Sequence, residues 1–307
     1  MTKDKIGVEV FAPAKINLCL HVTGQRSDGY HLLDTLVAFA DIGDTVTLSV
    51  DGPGGLDVSG PEATPDLAGD GNIMSATAAR FWGEEALSMH LDKQLPIASG
   101  IGGGSADAAA TYRGVLALRA AVEGRDAPRD PTAEDAVALM EIGADVPMCV
   151  PSTPARVQGI GEQITPISDL HPYPIVLVNP RVQVSTPTVF KRLARKENPA
   201  LDRLPRDFED RDLVLDWLGA QRNDLQAPAL EVCPEVGAVL EALGKDQACR
   251  LTRMSGSGAT CFGLFIRMHE ATAAAEAISA THPGWWIRVG RLKGGRRAAP
   301  QLIRSTT

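Results

Sequence analysis

Residues 95–112 read Leu-Pro-Ile-Ala-Ser-Gly-Ile-Gly-Gly-Gly-Ser-Ala-Asp-Ala-Ala-Ala-Thr-Tyr. Four glycines and two serines fall between Ser99 and Ser105, and an alanine-rich segment with high helix propensity follows directly. This pattern predicts a loop of nearly bare backbone that leads into a helix, with Ser105 as the capping residue and Asp107 in the first turn. Free peptide N–H groups at a helix start favour phosphate, so the stretch predicts an anion site. An ordinary glycine-rich loop is the alternative.

Length, charge and cysteine content limit the classes of protein to consider. The 307 residues suffice for two domains or one large one, and the net charge of -8 argues against nucleic acid or an anionic membrane as the main partner. Five cysteines without a CxxC pair or a Cys/His cluster indicate neither a disulfide framework nor a zinc site. The N-terminus lacks the apolar core of a signal peptide, and no apolar run reaches membrane-spanning length. We therefore predict a cytoplasmic protein with no nucleic-acid or membrane partner, and the sequence leaves its oligomeric state open.

An alternating pattern near the N-terminus predicts a strand. Lys15 and Asn17 fall on one face and Ile16 and Leu18 on the other, so one face is expected in the core and the other is expected to carry the polar side chains. Lys15 is the best candidate for a cation that faces a bound phosphate. A solvated strand lysine is the alternative.

A hairpin turn is predicted at Asp28-Gly29, between two strand-like runs. The turn places Tyr30 and His31 side by side at the end of the hairpin. Two interpretations of these rings remain open: contact with a heterocycle, or simple packing beside a turn.

Asp145 is the best candidate for a catalytic carboxylate. It lies in Gly143-Ala144-Asp145-Val146-Pro147, between a predicted helix end at Gly143 and a proline that is expected to hold Val146 extended. A carboxylate fixed on such a connection can accept a proton from a substrate hydroxyl. The alternative is a turn aspartate that caps neighbouring backbone groups.

The second half of the chain begins with a change in composition. Prolines cluster between residues 151 and 174 and indicate a domain boundary early in this stretch, so we predict domains at residues 1–155 and 156–295. Beyond the boundary we predict strands at residues 175–179, 250–254, 260–266 and 285–291, and helices at residues 187–195, 212–219, 234–244 and 270–280. This order resembles a split βαβ sandwich with extra helices. A second glycine-rich turn, Ser255-Gly256-Ser257-Gly258, lies between two of these strands. We expect residues 296–307 to form a disordered tail.

Three motifs together resemble those of the GHMP small-molecule kinases, in the same order along the chain. They are Pro13-Ala14-Lys15-Ile16-Asn17-Leu18, the glycine stretch from Gly100 to Ala110, and Met254-Ser255-Gly256-Ser257-Gly258-Ala259-Thr260. The glycine stretch is no Walker loop, because no Gly-Lys-Ser/Thr follows it. Within this family, Asp28-Gly29-Tyr30-His31 and Gly143 to Pro147 resemble a kinase of the non-mevalonate isoprenoid pathway whose small-molecule substrate carries a cytidine diphosphate.

The resemblance implies an α+β fold of two domains, an N-terminal α/β domain and a C-terminal split βαβ-like domain, with the active site in the cleft. It implies phosphorylation of the substrate's 2-hydroxyl with ATP and Mg2+. The implied catalytic residues are Asp145 as the base and Lys15 as its partner. The implied ATP-binding residues are Asn72, Lys93, Ser99, Gly100, Gly102, Gly103, Gly104 and Ser105, and Ser105 is also an implied magnesium contact. The implied substrate-binding residues are Asn17, Tyr30, His31, Phe190, Ser257 and Gly258.

The chain departs from the family pattern within the glycine stretch. Ala98 and Ser99 stand where another glycine or alanine is usual, and Ala106 replaces a second serine, which removes one possible hydroxyl contact to phosphate. Two other hypotheses remain. A GHMP kinase for homoserine or mevalonate has no use for aromatic residues on a cytosine side, and a non-catalytic metabolite-binding protein has no use for both Lys15 and Asp145.

Overall fold

The computed structural model describes residues 5–69, 71–127, 130–293 and 299–305. The strands are β1 (Lys5–Gln25), β2 (His31–Ser49), β3 (Gly55–Ser59), β4 (Ser88–Asp92), β5 (Ala155–Gly159), β6 (Gln163–Pro166), β7 (Pro174–Asn179), β8 (Leu251–Met254), β9 (Cys261–Leu264), β10 (Trp286–Lys293) and β11 (Gln301–Ser305). The helices are α1 (Ile73–Phe81), α2 (Gly103–Glu123), α3 (Ala133–Ile142), α4 (Val146–Cys149), α5 (Thr186–Lys191), α6 (Arg211–Ala220), α7 (Gln226–Val232), α8 (Glu235–Gly244) and α9 (Met268–Thr281).

The two longest strands, β1 and β2, form the antiparallel pair on which the molecule is built. Their register shifts between Pro13 and Lys15, and residues 12–22 of β1 are buried without alternation. Ile16 and Leu18 pack in a core cluster as predicted, and Lys15 and Asn17, which were predicted on the polar face, are buried as well. The second half of the chain covers this part of β1, where Leu18 packs in one core cluster with Phe262. A period-two pattern cannot reveal such a covering element.

A continuous sheet joins the two halves of the chain. Its strand order is β11-β1-β2-β10-β7-β9-β8, and β4 and β5 also pair with β2. β10 pairs with β7 along most of its length and reaches β2 through Leu292 and Lys293. The β5–β6 hairpin pairs with β2, so it extends the N-terminal sheet although it follows residue 155. The division into residues 1–155 and 156–295 stays a prediction.

Most predicted elements of the second half are present, in the predicted order. Helix α9 covers the predicted span of residues 270–280, and α6, α8 and the four antiparallel strands β7, β8, β9 and β10 lie where the pattern indicated. The mixture of helices and sheet is thus confirmed. Helix α7 was not predicted, because its seven residues include Pro228 and are too few to show a helical period.

Helix α2 begins earlier than predicted. Gly102 occupies the N-cap position in the left-handed conformation, with φ of 64°, and no side chain caps the helix. Glycine adopts this conformation without steric cost, so the turn closes at Gly102. Ser105 is therefore the third helical residue, and Asp107 lies beyond the first turn. The prediction that Ser105 caps the helix was wrong.

The connection that carries Asp145 is helical and not extended. Asp145 has φ of -86° and ψ of -11° and precedes the short helix α4. Pro147 lies in the first turn of α4, where its missing N–H has no helical partner to lose. The expectation that Pro147 holds Val146 extended was therefore wrong.

The tail contains a strand. β11 pairs antiparallel with the start of β1, with Glu9 opposite Gln301, so the prediction of a disordered tail was wrong for residues 301–305. The outer edge of β1 offers unpaired backbone groups, and β11 satisfies them. Residues 299–300 belong to no helix or strand, and residues 296–298 and 306–307 fall outside the described residues.

Candidate active site

A cavity of about 1030 Å³ lies between the two halves of the chain. The β1–β2 ladder runs along it, from Lys15 beside the glycine stretch to His31 at the hairpin end. The cavity brings together thirteen of the predicted site residues: Lys15, Asn17, Tyr30, His31, Ser99, Gly100, Gly102, Gly103, Gly104, Ser105, Asp145, Phe190 and Ser257.

The glycine stretch and the second glycine turn pack directly on each other. Gly100 has φ of 77°, and a Cβ atom there would lie 2.5 Å from the carbonyl oxygen of Ser255. The Ser255 hydroxyl donates to the Gly100 carbonyl at 3.0 Å, and the Lys15 backbone N–H donates to the Ile101 carbonyl at 2.9 Å. These contacts fix the loop, while the first N–H groups of α2 have no acceptor within the helix. This end of the cavity is suited to phosphate.

Lys15 and Asp145 form an ion pair at the cavity wall. The Lys15 Nζ lies 2.9 Å from Asp145 Oδ2, and the two side chains are 6% and 40% exposed. Lys15 Nζ also donates to Asn17 Oδ1 at 2.9 Å. The ammonium is thus held by two acceptors, while the carboxylate remains open to the cavity. An accessible carboxylate beside a fixed cation can orient a hydroxyl group and receive its proton.

Asn17 is fixed by a buried hydrogen-bond chain. Its Nδ2 donates to Thr35 Oγ1 at 2.9 Å, and the Thr35 hydroxyl donates to the Cys19 carbonyl at 2.6 Å. The Asn17 backbone N–H donates to the Ser255 hydroxyl at 3.1 Å. The network therefore turns the Asn17 carbonyl oxygen toward Lys15.

Aromatic rings form the hairpin end of the cavity. His31 stacks on Phe190, with ring centroids 4.6 Å apart and planes at 25°. Burial lowers the pKa of His31 below its ordinary value, and the charge of Lys196 adds to the effect. The Nε2 atom of His31 is buried and has no hydrogen-bond partner within the described residues. Tyr30 is 60% exposed at the cavity mouth. This end can therefore stack a planar heterocycle and bond its edge.

Ser257 of the second glycine turn meets the segment that carries Phe190. Its hydroxyl lies 2.7 Å from the Thr186 hydroxyl at the start of α5. Thr186 also lines the cavity, so the second half of the chain closes this wall with two hydroxyl groups.

Three predicted site residues do not line the cavity: Asn72, Lys93 and Gly258. Asn72 caps α1, with Oδ1 accepting from Met74 N at 2.8 Å and Nδ2 donating to Leu67 O at 2.6 Å. Both the oxygen and the nitrogen of its side-chain amide thus form hydrogen bonds with nearby backbone groups. The ATP-binding and substrate-binding roles implied for these three residues stay predictions.

Lys93 lies buried beneath the glycine stretch. Its Nζ contacts Asp44 Oδ2 at 2.6 Å and Asp107 Oδ2 at 2.7 Å, and all three side chains are less than 5% exposed. A Cβ atom at Gly103 would lie 3.3 Å from Lys93 Nζ, so the ammonium supports the start of α2. Asp44 Oδ1 accepts from the backbone N–H groups of Gln94 and Leu95 at 2.6 and 2.8 Å.

The protonation of this triad follows from one cation facing two carboxylates. Burial works against the Lys93 charge, but Asp107 and Asp44 outweigh it and raise the pKa of Lys93. Burial raises the pKa of Asp107 to about 8, although Lys93 opposes the shift. Asp44 accepts three hydrogen bonds, whereas Asp107 Oδ1 has no partner within the described residues. Burial, together with the neighbouring Asp44 carboxylate, thus favours the proton on Asp107.

The described part of the chain has no group of three or more His, Cys, Asp or Glu side chains arranged to hold a metal ion. Ser105, the implied magnesium contact, lines the cavity in the first turn of α2. Its hydroxyl is not used as a helix cap and is placed beside the region suited to phosphate. A metal that arrives with phosphate oxygens needs few protein ligands, and Ser105 fits that need.

The two halves of the chain match descriptions of known domains. Residues 72–152 match the GHMP kinases N terminal domain, and residues 195–284 match the GHMP kinases C terminal domain. A 4-diphosphocytidyl-2-C-methyl-D-erythritol kinase of Roseobacter denitrificans is 48% identical over 297 residues, which cover 96% of this chain and 97% of that protein. The chain belongs to the 4-diphosphocytidyl-2-C-methyl-D-erythritol kinase family of the GHMP kinases.

Solved structures agree with this membership. A crystal structure of a 4-(cytidine 5'-diphospho)-2C-methyl-D-erythritol kinase has a TM-score of 0.72 and 30% identity, and the match covers 94% of this chain and all of that one. A homoserine kinase from Cytophaga hutchinsonii, at 17% identity, 97% coverage of both chains and a TM-score of 0.65, shares the fold. The predicted family, two-part GHMP kinase fold and kinase activity class are confirmed. Across the described ranges, this GHMP kinase has no helix long and apolar enough to cross a membrane.

Sequence reasoning missed several residues of this GHMP kinase site. Thr35 and Ser255 orient Asn17, Thr186 meets Ser257, and Lys196 lines the cavity. Ser255 belongs to the second glycine turn and Thr186 lies one helical turn before Phe190, so their neighbourhood was a usable signal. No local pattern distinguishes Lys196 from other exposed lysines.

Proposed function

We propose that the chain transfers the γ-phosphoryl group of ATP to the 2-hydroxyl of 4-diphosphocytidyl-2-C-methyl-D-erythritol. The observation that carries the proposal is the Lys15–Asp145 pair, at 2.9 Å, in one cavity with a glycine-walled end and an aromatic end. The first end suits the phosphates of ATP, and the second suits a cytosine ring. The reacting hydroxyl then lies between them, beside Asp145.

The glycine end provides the electrostatic part of catalysis. Phosphoryl transfer needs in-line positioning and neutralisation of negative charge more than covalent help from the protein. The N–H groups at the start of α2, from Gly103 to Ser105, are proposed to bind the β- and γ-phosphates. Ala106 has no hydroxyl, so the backbone carries more of this contact than in a loop with a second serine.

Asp145 and Lys15 act on the nucleophile. The oxygen of the 2-hydroxyl forms a bond to the γ-phosphorus, the bond between that phosphorus and the β,γ-bridging oxygen breaks, and ADP leaves. The hydroxyl proton passes to Asp145. Lys15 holds Asp145 in place and stabilises negative charge near the attacking oxygen. General-base help of this kind is worth about a hundredfold to ten-thousandfold in rate.

Magnesium is proposed to enter as the complex with ATP. Ser105 is the residue that would touch it, and the metal would offset the charge of the phosphate oxygens. Asn72 and Lys93 are proposed to act at the adenosine side through the surrounding backbone, since neither lines the cavity. Gly258 supports the turn that presents Ser257.

The aromatic end is proposed to select cytosine. Phe190 and Tyr30 flank the ring, and the unpartnered Nε2 of His31 bonds its edge. The lowered pKa of His31 keeps the imidazole neutral at pH 7, with one nitrogen able to accept and one able to donate. Asn17 and Ser257 complete the contacts to the substrate. With five free cysteines, we place the enzyme in the cytoplasm, where it acts on a small molecule.

Turnover of the named substrate tests the proposal. The protein is mixed with ATP, magnesium and 4-diphosphocytidyl-2-C-methyl-D-erythritol, and we expect ADP in a one-to-one ratio with product phosphorylated at the 2-hydroxyl. Homoserine and mevalonate serve as control acceptors. A folded protein that releases no ADP with the cytidine substrate, or that prefers either control acceptor, contradicts the proposal.

A further inference from the structure

The segment around Lys196 is tied to the hairpin end of the cavity. The Asn198 backbone N–H and side-chain Nδ2 both donate to the Val22 carbonyl, at 3.0 and 3.1 Å. The Leu201 N–H donates to Asp34 Oδ2 at 3.0 Å. This segment follows α5, yet β1 and β2 hold it in place. The backbone of Lys196 is therefore fixed at the cavity mouth, close to His31.

The Lys196 side chain points along the cavity wall. Its Nζ donates to Gln25 Oε1 at 2.9 Å, and Gln25 Nε2 donates to the Gly29 carbonyl at 3.0 Å. Gln25 lies opposite His31 in the β1–β2 register, and Lys196, Gln25 and His31 all line the cavity. The ammonium has three N–H donors, so this contact leaves donors for a ligand.

The electrostatic surroundings of Lys196 differ from those of Lys15. Lys15 is neutralised by Asp145, whereas the partner of Lys196 is a neutral amide. Asp28, another charged residue of the lining, is itself paired with Arg26 at 2.7 Å. The aromatic end thus has a cation whose charge is not balanced by its hydrogen-bond partner. Burial lowers the pKa of the neighbouring His31, and the charge of Lys196 adds to this shift, as expected for a cation near the aromatic end.

We propose that Lys196 is a specificity-determining residue that binds the diphosphate group of a nucleoside diphosphate whose base lies at His31 and Phe190. The inference rests on the proposed function, because that function places the base there. In such a ligand, one ribose separates the base from the 5'-diphosphate. A lysine side chain at the edge of the base site is long enough to span that separation. Lys196 then favours a diphosphate-linked substrate over the uncharged nucleoside, because a charged hydrogen bond forms only with the former.

Equilibrium binding of two ligands tests the assignment. Cytidine and cytidine diphosphate are titrated into the wild-type protein, into Lys196→Gln and into Arg195→Gln. Arg195 is the matched control, since it is an exposed neighbour outside the cavity lining. We expect Lys196→Gln to weaken cytidine diphosphate about tenfold and cytidine less than twofold, because one charge-assisted hydrogen bond is lost. Arg195→Gln changes neither affinity.

Kinetics give a second readout. Lys196→Gln is expected to raise the KM for the cytidine substrate about tenfold while kcat and the KM for ATP remain within twofold, because the contact is made equally in the ground and transition states. Added salt should weaken binding of cytidine diphosphate to the wild type more than to Lys196→Gln.

Several outcomes overturn the assignment. Equal losses for cytidine and cytidine diphosphate mean that Lys196 acts on the base, and unchanged affinities mean that it makes no contact. Lys191 also lines the cavity, so Lys191→Gln is titrated in the same way. A selective loss in Lys191→Gln but not in Lys196→Gln assigns the diphosphate to Lys191 instead. If the wild-type protein binds neither ligand and releases no ADP with the cytidine substrate, the proposed function fails with it. Normal binding and turnover in Lys196→Gln overturn the assignment alone.

Discussion

Two lysines of this chain are each held by aspartates, at nearly the same distances but in opposite surroundings. Lys15 contacts Asp145 at 2.9 Å beside the cavity, where the carboxylate is 40% exposed. Lys93 contacts Asp44 and Asp107 at 2.6 and 2.7 Å, and no member of this triad is more than 4% exposed. Family motifs suggested both lysines as site residues, yet of these two only Lys15 lines the cavity.

This difference separates an ion pair that is suited to catalysis from a buried triad that stabilises the fold. A buried charge must be satisfied by fixed partners, and losing one partner leaves the other unpaired in a medium of low dielectric constant. Lys93 accordingly joins three segments: β2 through Asp44, the segment after β4, and α2 through Asp107. Asp145 is different, because an exposed carboxylate oxygen does not need the pair for stability and is available to a substrate. We therefore assign proton transfer to the open pair and support of the glycine stretch to the closed triad.

The largest effect is expected for Asp145→Asn. The amide keeps the shape but cannot accept a hydroxyl proton, so kcat should fall about a hundredfold to ten-thousandfold. Steady-state assays of ADP release measure the loss. The free energy of unfolding should change by less than about 1 kcal/mol, because the pair is partly exposed. A variant that retains a third or more of wild-type kcat would remove Asp145 from the proposed step.

Asp44→Ala should produce the largest loss of stability. It leaves Lys93 without one carboxylate and leaves two backbone N–H groups without their acceptor, so unfolding should become easier by about 3–5 kcal/mol. Urea denaturation followed by circular dichroism measures the change. Asp57→Ala is the control, since Asp57 is 82% exposed in its pair with His90 and should shift stability by less than about 0.5 kcal/mol. Equal effects of the two substitutions would contradict a structural triad.

Asp107 makes stability depend on pH. Its folded-state pKa is raised from 3.8 to about 8, so the unfolded chain releases this proton before the folded chain does. The contribution of Asp107 to stability is therefore largest below pH 4 and is lost as the pH rises from about 4 to about 8.

Asp107→Asn tests this dependence, because asparagine does not titrate. Denaturation midpoints at pH 5, 6, 7 and 8 should decline less steeply in the variant than in the wild type. The same comparison in Asp57→Asn should reproduce the wild-type slope. Parallel slopes for Asp107→Asn and the wild type would mean that Asp107 is already ionised throughout this range.

The smallest effect concerns the backbone that leads into the glycine loop. Ala98 adopts φ of 50°, in the left-handed region that disfavours a side chain. Ala98→Gly should relieve this strain and stabilise the fold by about 1 kcal/mol. The greater conformational entropy of glycine in the unfolded chain offsets part of this gain. Ala121→Gly, inside α2, should have the opposite sign and a cost of about 1 kcal/mol. Calorimetry of both variants gives the comparison, and a loss of stability in Ala98→Gly would show that this position is not strained.

The sequence predicted the parts of this molecule that depend on local chemistry. The glycine stretch before a helix, the turn beside Tyr30 and the carboxylate at Asp145 all lie in the cavity as expected. Helix α8 follows from the helical spacing of its apolar residues Val236, Val239, Leu240 and Leu243. These features depend on neighbours within a few residues, which is the range that a pattern contains.

The remaining features depend on contacts between distant segments. The family resemblance implies an ATP-binding role for Lys93, but its ammonium is paired with Asp44, which lies far away in sequence. β11 forms because β1 has an open edge, which the tail itself does not reveal. Lys196 joins the site only because β1 and β2 hold its segment. Asn17 faces Lys15 only because Thr35 fixes its side-chain amide and Ser255 fixes its backbone N–H.

A side-by-side measurement on Lys15→Met and Lys93→Met tests the central distinction most directly. Methionine is chosen for both because it keeps much of the buried volume while removing the charge. For each variant, the single-turnover rate of ADP formation at saturating ATP is measured together with the urea midpoint of unfolding. We predict that Lys15→Met loses at least a hundredfold in rate with little change in midpoint, and that Lys93→Met loses several kcal/mol of stability but keeps most of the rate of its folded fraction. A rate loss in folded Lys93→Met equal to that in Lys15→Met would contradict the assignment.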